Sequence, residues 1–330
     1  MHELALYKRF HDLLMRSRRT LLVAHKKPDG DTLGSASAVL NYLIREGHDV
    51  VAFCADAIPE QYHYLPGFER FTYDPGVFQD QYDLLCVFDA GDPRYAGIAL
   101  HLERMPQRPT IVNIDHHATN ERYGDQNLLF TDASSTAEVV HRFFTANGIT
   151  IDPHMATCLL TGIVTDTSNF VNPATNATCI RAASNLLICG ARMGDITRSL
   201  VRNKSIPALQ LWGRALERIR ENHALGIAST IITKEDVEEA GADVGEATEG
   251  IANFLGAVLD VAVIMVLKEQ SDGLIKGSLR SNSKDVSAIA KLLGGGGHKK
   301  AAGFTVRGKL IEKDGIWQVE PAPAILEALN

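Results

Sequence analysis

The chain has 330 residues, 45% of them hydrophobic, and a formal net charge of −7. That length exceeds one comfortable core and that composition excludes disorder, so two folded domains are expected. The negative charge excludes extended non-specific nucleic-acid binding, which is driven by phosphate neutralisation, but leaves room for a small anionic substrate in a local positive pocket.

The elements follow in chain order. "MHELALYKRFHDLLMRSRRT" reads as an amphipathic helix rather than a signal peptide. Thr20–Ala24 is a short apolar strand, Thr32–Glu46 a helix stopped by Gly47, and Asp49–Ala55 a strand. "YDLLCVFDAGD" holds a continuous apolar strand from Leu84 to Phe88, and "PTIVNIDHH" repeats that plan. "STAEVVHRFFTANG" is a helix capped by Ser135 or Thr136 and stopped at Gly148; Asp152 before Pro153 opens the next helix. Alternating strand and helix with buried runs predicts an α/β fold, a doubly wound parallel sheet covered on both faces.

From Asn176 to about Glu221 the pattern is helical only. "LGIASTIIT", "TEGIANFLGAVL", "VAVIMVLKE", "LIKGSLRSN", "DVSAIAKLLG" and "AAGFTVRG" then read as strand, helix, strand, strand, helix, strand. The expected division is a catalytic α/β domain over 1–190, a helical connector over 191–221 and a smaller α+β domain over 222–330. The most membrane-like stretch, Ile251 to Leu267, carries Asn253 and Asp260 and turns β-branched, so a helix followed by a core strand is expected instead of a span. Five cysteines (Cys54, Cys86, Cys158, Cys179 and Cys189) contain no C-x-x-C and mostly lie in apolar runs. They read as buried thiols and place the chain in a reducing cytoplasm.

The acidic residues fall at strand ends. His25, Asp29 and Asp31 follow the first strand, Asp89 ends "LLCVF", and Asp115, His116 and His117 end "TIVNI". Ligands of open α/β sheets bind at the carboxyl ends of strands, so three strands deliver acids and imidazoles to one edge, joined by Asp166 if the helix "TGIVTD" points the same way. Taken singly, each acid would be a cap or turn residue and His25 a satisfied buried histidine. Taken together, four carboxylates cannot share a pocket unless cations offset them. Two divalent ions balance Asp29, Asp31, Asp89 and Asp166, and mixed carboxylate and imidazole donors suit Mn²⁺. Two ions at ~3.5–4 Å separation form a clamp for displacement at phosphorus. Asp115 is expected to orient His116 from behind rather than to bind an ion.

These residues carry a resemblance. "AHKKPDGDTLGS", "FDAGDPRYAG", "NIDHHATN" and "TGIVTDTSNF" are similar to the four motifs of the DHH phosphoesterase superfamily, and "GSLRSN" and "GGGGHKKAAGF" to its C-terminal DHHA1 domain, over about residues 15–308. By size and domain pair the chain most resembles bacterial nanoRNases that also dephosphorylate pAp (3′-phosphoadenosine 5′-phosphate). The resemblance implies that His25 and Asp29 bind a first ion, that Asp31 with His116 and Asp166 binds a second, and that Asp89 bridges them. His117 would act on the scissile phosphate or leaving group, with Asp115 beside it in the catalytic pair. Arg280 and His298 would hold substrate phosphates. The glycine run ending in Gly296 and Gly297 would bring backbone N–H groups close to an anion. Arg94 departs from the serine-rich turn of many relatives and receives no role; Lys26 and Lys27 are expected to face solvent.

The expected substrates are very short single-stranded RNA and pAp, with no membrane partner and with a homodimer left open. If the two domains close over a cleft, only a short substrate fits. A soluble cyclic dinucleotide phosphodiesterase acting on c-di-AMP or pApA is the alternative reading. A non-catalytic nucleotide- or RNA-binding module is weaker, because a binder has no need of six metal-ligand residues. No G-x-G-x-x-G follows the first strand, which argues against a dehydrogenase.

Overall fold

The computed structural model describes residues 2–201, 205–241, 250–270, 272–281, 283–313 and 316–320. The chain divides into two compact units, 1–203 and 204–330.

In the first unit, α1 (His2–Arg16) leads into β1 (Arg19–Ala24), α2 (Gly30–Arg45), β2 (Asp49–Cys54), β3 (Phe71–Thr72) and β4 (Leu84–Phe88). A short α3 (Ala99–Leu102) precedes β5 (Thr110–Asp115), β6 (Gln126–Leu129), α4 (Thr136–Ala146), α5 (Pro153–Asp166), α6 (Ala177–Ile188) and α7 (Met193–Val201). The six strands lie in the order β3-β2-β1-β4-β5-β6, and every pairing is parallel. This is the expected doubly wound sheet. Its order reverses between β1 and β4, which opens a crevice at their carboxyl ends.

Alternation along the strands explains the two covered faces. Leu22 and Ala24 of β1, with Cys86 and Phe88 of β4, face a core shared with α1, α2, α4 and α5. Leu21, Val23, Leu85 and Val87 face the opposite core, with Phe53, Phe78 and Ile98. A strand buried on both faces has no polar side to show, so it reads as a continuous apolar run.

Two glycines bring α2 and α5 into close approach. A Cβ on Gly34 would lie 2.3 Å from the Cys158 carbonyl oxygen, and one on Gly162 would lie 2.5 Å from Ala137 Cβ and 2.7 Å from Asp31 Oδ1. The contact draws the C-terminal end of α5, where Asp166 sits, toward the N-terminal end of α2, where Asp31 sits.

In the second unit the strands β7 (Arg220–Asn222), β8 (Ile227–Ile232), β9 (Val263–Glu269), β10 (Leu274–Arg280), β11 (Gly296–His298) and β12 (Ala301–Arg307) form a sheet ordered β11-β12-β10-β9-β8-β7. It is antiparallel except between β8 and β9. A separate hairpin pairs β13 (Lys309–Lys313) with β14 (Ile316–Glu320). Four helices are described here: Ile206–Glu217, Lys234–Ala240, Ile251–Val258 and Val286–Leu292. The stretch from Ile251 is a helix followed by core strand β9, as its sequence suggests, while the preceding residues 242–249 lie outside those described. No helix among the described residues is long and apolar enough to cross a membrane.

Of the helices in the expected connector, α7 falls in the first unit and Ile206–Glu217 in the second. The periodicity missed the helix Lys234–Ala240 and the terminal hairpin. "KEDVEEA" is charged almost throughout and is fixed by a capping box between Thr233 and Asp236 rather than by a broad apolar face.

The glycine run is not a free loop. Gly296 and Gly297 belong to β11, an edge strand paired with β12. A Cβ on Gly295 would lie 2.1 Å from the Gly303 carbonyl oxygen, and one on Gly297 2.6 Å from Ala302 Cα. Close approach to β12 thus demands glycine at these positions, whatever the run does for a ligand.

Candidate active site

The carboxyl ends of β1, β4 and β5 meet the N-termini of α2 and α4 and the C-terminus of α5. His25, just past β1, is 1% exposed. Its Nδ1 lies 2.8 Å from the Lys26 carbonyl oxygen, a contact that requires the proton on Nδ1, so that the neutral ring carries its lone pair on Nε2. That Nε2 is buried without a hydrogen-bond partner among the described residues. It faces Asp89 Oδ2 at 3.5 Å and Asp29 Oδ1 at 3.8 Å. The ring of Tyr95 packs on it with centroids 4.8 Å apart.

His116 repeats the arrangement. Its Nδ1 approaches the Ala133 carbonyl oxygen at 3.3 Å, and its Nε2 is also buried without a partner. That atom faces Asp166 Oδ2 at 3.4 Å and Asp89 Oδ1 at 3.7 Å. Two imidazoles, each anchored through Nδ1 to a backbone carbonyl and each presenting a bare Nε2 to carboxylates, have the form of metal ligands.

Asp89 lies between the two histidines and is 3% exposed. Its backbone takes a left-handed conformation, φ 57°, held by its N–H donating to the Ile114 carbonyl at 2.9 Å. Aspartate tolerates this region better than most residues, but it is strained relative to glycine. The turn aims the carboxylate back across the sheet edge instead of along the strand. Asp31 is buried in the first turn of α2, and its two oxygens accept from the Thr136 and Ala137 N–H groups at 2.7 and 2.9 Å, at the N-terminus of α4. Asp29 is the N-cap of α2, its Oδ1 accepting from the Asp31 and Thr32 N–H groups. The helix-cap role and the site role therefore coexist in one residue. Asp166 does point the same way. The chain leaves α5 through three residues with positive φ, Ser168, Asn169 and Phe170, and Asn172 Nδ2 donates to the Asp166 carbonyl at 2.7 Å.

Ligand atoms of His25, Asp29 and Asp89 lie within 4.8 Å of one another, and so do those of Asp31, His116 and Asp166. A further such group comprises Asp89, Asp115, His116 and His117. Asp115 is fully buried, and its carboxylate is already occupied. Oδ1 accepts from the His116 N–H at 2.7 Å, the His117 N–H at 3.1 Å and His117 Nδ1 at 2.9 Å, and Oδ2 accepts from Asn120 Nδ2. It orients His117, which is half-exposed.

The electrostatics are those of an acidic cluster short of positive charge. Burial, then the charges of Asp89 and Asp166, push Asp31 well above the usual carboxylate range. Burial, then Asp89 and Asp29, raise Asp166 to about 7. Burial works to raise Asp89 as well, but the imidazoles of His117 and His25 overcome it and hold that carboxyl far down. The Asp115 hydrogen bond, then Asp89, push His117 up to about 11. Burial lowers His116.

Thr136 and Asn120 are hydrogen-bonding neighbours of the cluster that motif reading missed. Thr136 was legible only as a cap, although "SST" supplies more hydroxyls than one helix start needs. Asn120 ties Asp115 to Asn113 Oδ1, the latter at 2.7 Å. Lys26 and Lys27 are exposed; Arg94 is exposed, with its Nε 4.0 Å from Asp92.

In the second unit, Arg280 and His298 occupy register positions opposite Ala301 from the two sides of β12. Paired residues share a face of the sheet, so the two side chains flank one small residue. Arg280 Nε donates to Asn253 Oδ1 at 2.6 Å and Nη1 to the Leu279 carbonyl at 2.9 Å.

A parallel sheet whose switch point gathers these acids and imidazoles is that of a phosphoester hydrolase, and the chain belongs to the DHH family of phosphoesterases. The DHH family N-terminal domain matches residues 19–163, and the DHHA1 domain matches residues 228–329. Among related proteins, the bifunctional oligoribonuclease and PAP phosphatase NrnA of Thermus thermophilus is 30% identical over 87% of this chain and 84% of its own length. The cyclic-di-AMP phosphodiesterase PdeA of Listeria monocytogenes is 28% identical over 87% of this chain and 44% of its own. The crystal structure of an exopolyphosphatase-related protein from Bacteroides fragilis superposes with a TM-score of 0.84 at 25% identity, over 98% of this chain and 95% of that one.

Proposed function

We propose that the chain is a two-metal phosphoesterase that releases mononucleotides from very short RNA and removes the 3′-phosphate of pAp. The observation that carries this reading is the pair of buried, unpartnered Nε2 atoms of His25 and His116 on either side of Asp89. His25 and Asp29 would hold one divalent ion, and Asp31, His116 and Asp166 a second, with Asp89 shared; Mn²⁺ suits this donor set. Ions bound there would polarise the phosphoryl group and acidify water.

The chain's own groups do the rest. His117 holds one proton on Nδ1 against Asp115, which favours its protonated form, and lies at the solvent face of the cluster, where Nε2 suits a phosphate oxygen or the leaving oxygen. Asp115 acts through His117 and is a positioning residue. In the second unit, Arg280 and His298, with the N–H groups of edge strand β11 around Gly296 and Gly297, would bind a second phosphate or the chain end. The similarity to NrnA over most of both chains supports this substrate class.

The similarity to PdeA favours a second reading, hydrolysis of a cyclic dinucleotide by the same site. One assay panel decides, run with Mn²⁺ and with EDTA on a ladder of very short RNAs, a long RNA, pAp, c-di-AMP and pyrophosphate. Metal-dependent mononucleotide release from the shortest RNAs together with phosphate release from pAp is expected. Selective turnover of c-di-AMP would replace the substrate and keep the site. Tight nucleotide binding without turnover would sink both enzymatic readings.

A further inference from the structure

Thr136 opens α4, yet its hydroxyl does not serve the helix. Ser135 is the N-cap, its Oγ accepting from the Glu138 N–H at 3.0 Å. Thr136 is fully buried; its N–H donates to Asp31 Oδ2 at 2.7 Å and its hydroxyl to Asp89 Oδ1 at 2.8 Å. One residue therefore holds a carboxylate from the start of α2 and another from the end of β4.

The oxygen it grips matters. Asp89 Oδ1 faces His116 and His117 at 3.7 and 3.4 Å, while Oδ2 faces His25 at 3.5 Å. Rotation about the last bond of an aspartate is broad and weakly determined by the side chain itself. A hydrogen bond to Oδ1 alone fixes that rotation, so that one oxygen is turned toward each histidine.

We propose that Thr136 is a positioning residue for the two-cation site, setting the rotation of the Asp89 carboxylate and tying it to Asp31. The inference rests on the metal reading above. Its effect is on cation affinity, before any substrate is present, because groups that orient metal ligands typically change affinity about 10- to 100-fold when removed.

The test is calorimetric titration of Mn²⁺ into the metal-stripped full chain. Thr136→Val, which keeps the shape and the backbone N–H but removes the hydroxyl, should weaken binding about 10- to 100-fold. Thr136→Ser should bind close to the parent, and both should keep the parent's far-ultraviolet circular dichroism in EDTA. If Thr136→Val does not fold, Thr136→Ala is titrated in its place with the same expectation. Parent-like binding by the hydroxyl-free variant, or equal loss in Thr136→Ser, overturns the inference alone. A parent chain that binds no Mn²⁺ overturns the metal reading and the inference together.

Discussion

Both units bury aspartates, and the two units neutralise them in opposite ways. Asp236, in the second unit, is 3% exposed. It accepts from Arg218 through both oxygens, from Arg214 at 3.1 Å and from the Thr233 N–H at 2.8 Å. Burial works to raise its carboxyl, but Arg218 and Thr233 hold it down at about 2. Asp31 and Asp166, in the first unit, have carboxylates as their nearest charged neighbours besides imidazoles, and both are pushed up. A buried acid with its own guanidinium is architecture. A group of buried acids without one is neutralised by protons it retains or by cations from outside the chain.

The largest break in this comparison is expected from Asp89→Ala. It removes the carboxylate that faces both His25 and His116 and should lower turnover about 10³-fold or more, measured as mononucleotide or phosphate release under saturating Mn²⁺. Asp236→Ala should leave chemistry alone and destabilise the chain by about 3 kcal/mol, read from urea denaturation, because Arg218 loses its carboxylate, Arg214 keeps only Glu239, and a helix loses its capping box. Arg280→Ala should raise KM about 10- to 100-fold with kcat nearly unchanged, since it removes charge-assisted hydrogen bonds far in sequence from the acidic cluster.

The smallest effect is the sharpest on sign. The stabilisation from Asp236 is complete above about pH 4 and is lost as pH falls through about 2. Asp166 acts in reverse. In EDTA the folded chain retains a proton that the unfolded chain releases, so stability declines as pH rises from about 4 through 7. His117, raised to about 11, continues that decline at higher pH; Asp89 opposes it only below about pH 4, and His116, lowered by burial, opposes it in part just below 6.5. Saturating Mn²⁺ should abolish the decline between pH 4 and 7. Thermal melts across pH with and without EDTA check this, and a metal-free melting temperature that rises over that interval would contradict it.

The first unit was largely legible because its signals are local and repeated. Apolar runs such as Leu84–Phe88 end directly in the residues that matter, and the parallel sheet brings every such end to one edge. Asp166 was conditional, because a helix end carries no such guarantee; only the glycine-mediated contact of α2 with α5 brings it in. Thr136 was opaque for a related reason: a threonine at a helix start is adequately explained by the helix. The second unit resisted reading where packing replaces periodicity. Four glycines suggest an open loop, whereas Gly295 and Gly297 are needed for the close approach to β12.

The left-handed backbone of Asp89 has a consequence for how this sequence changes over generations. Glycine adopts φ 57° at no steric cost, so drift under selection for folding alone would move position 89 toward glycine. A lineage that lost the chemistry would be expected to lose this carboxylate early, since nothing in the backbone at this position asks for a charged side chain.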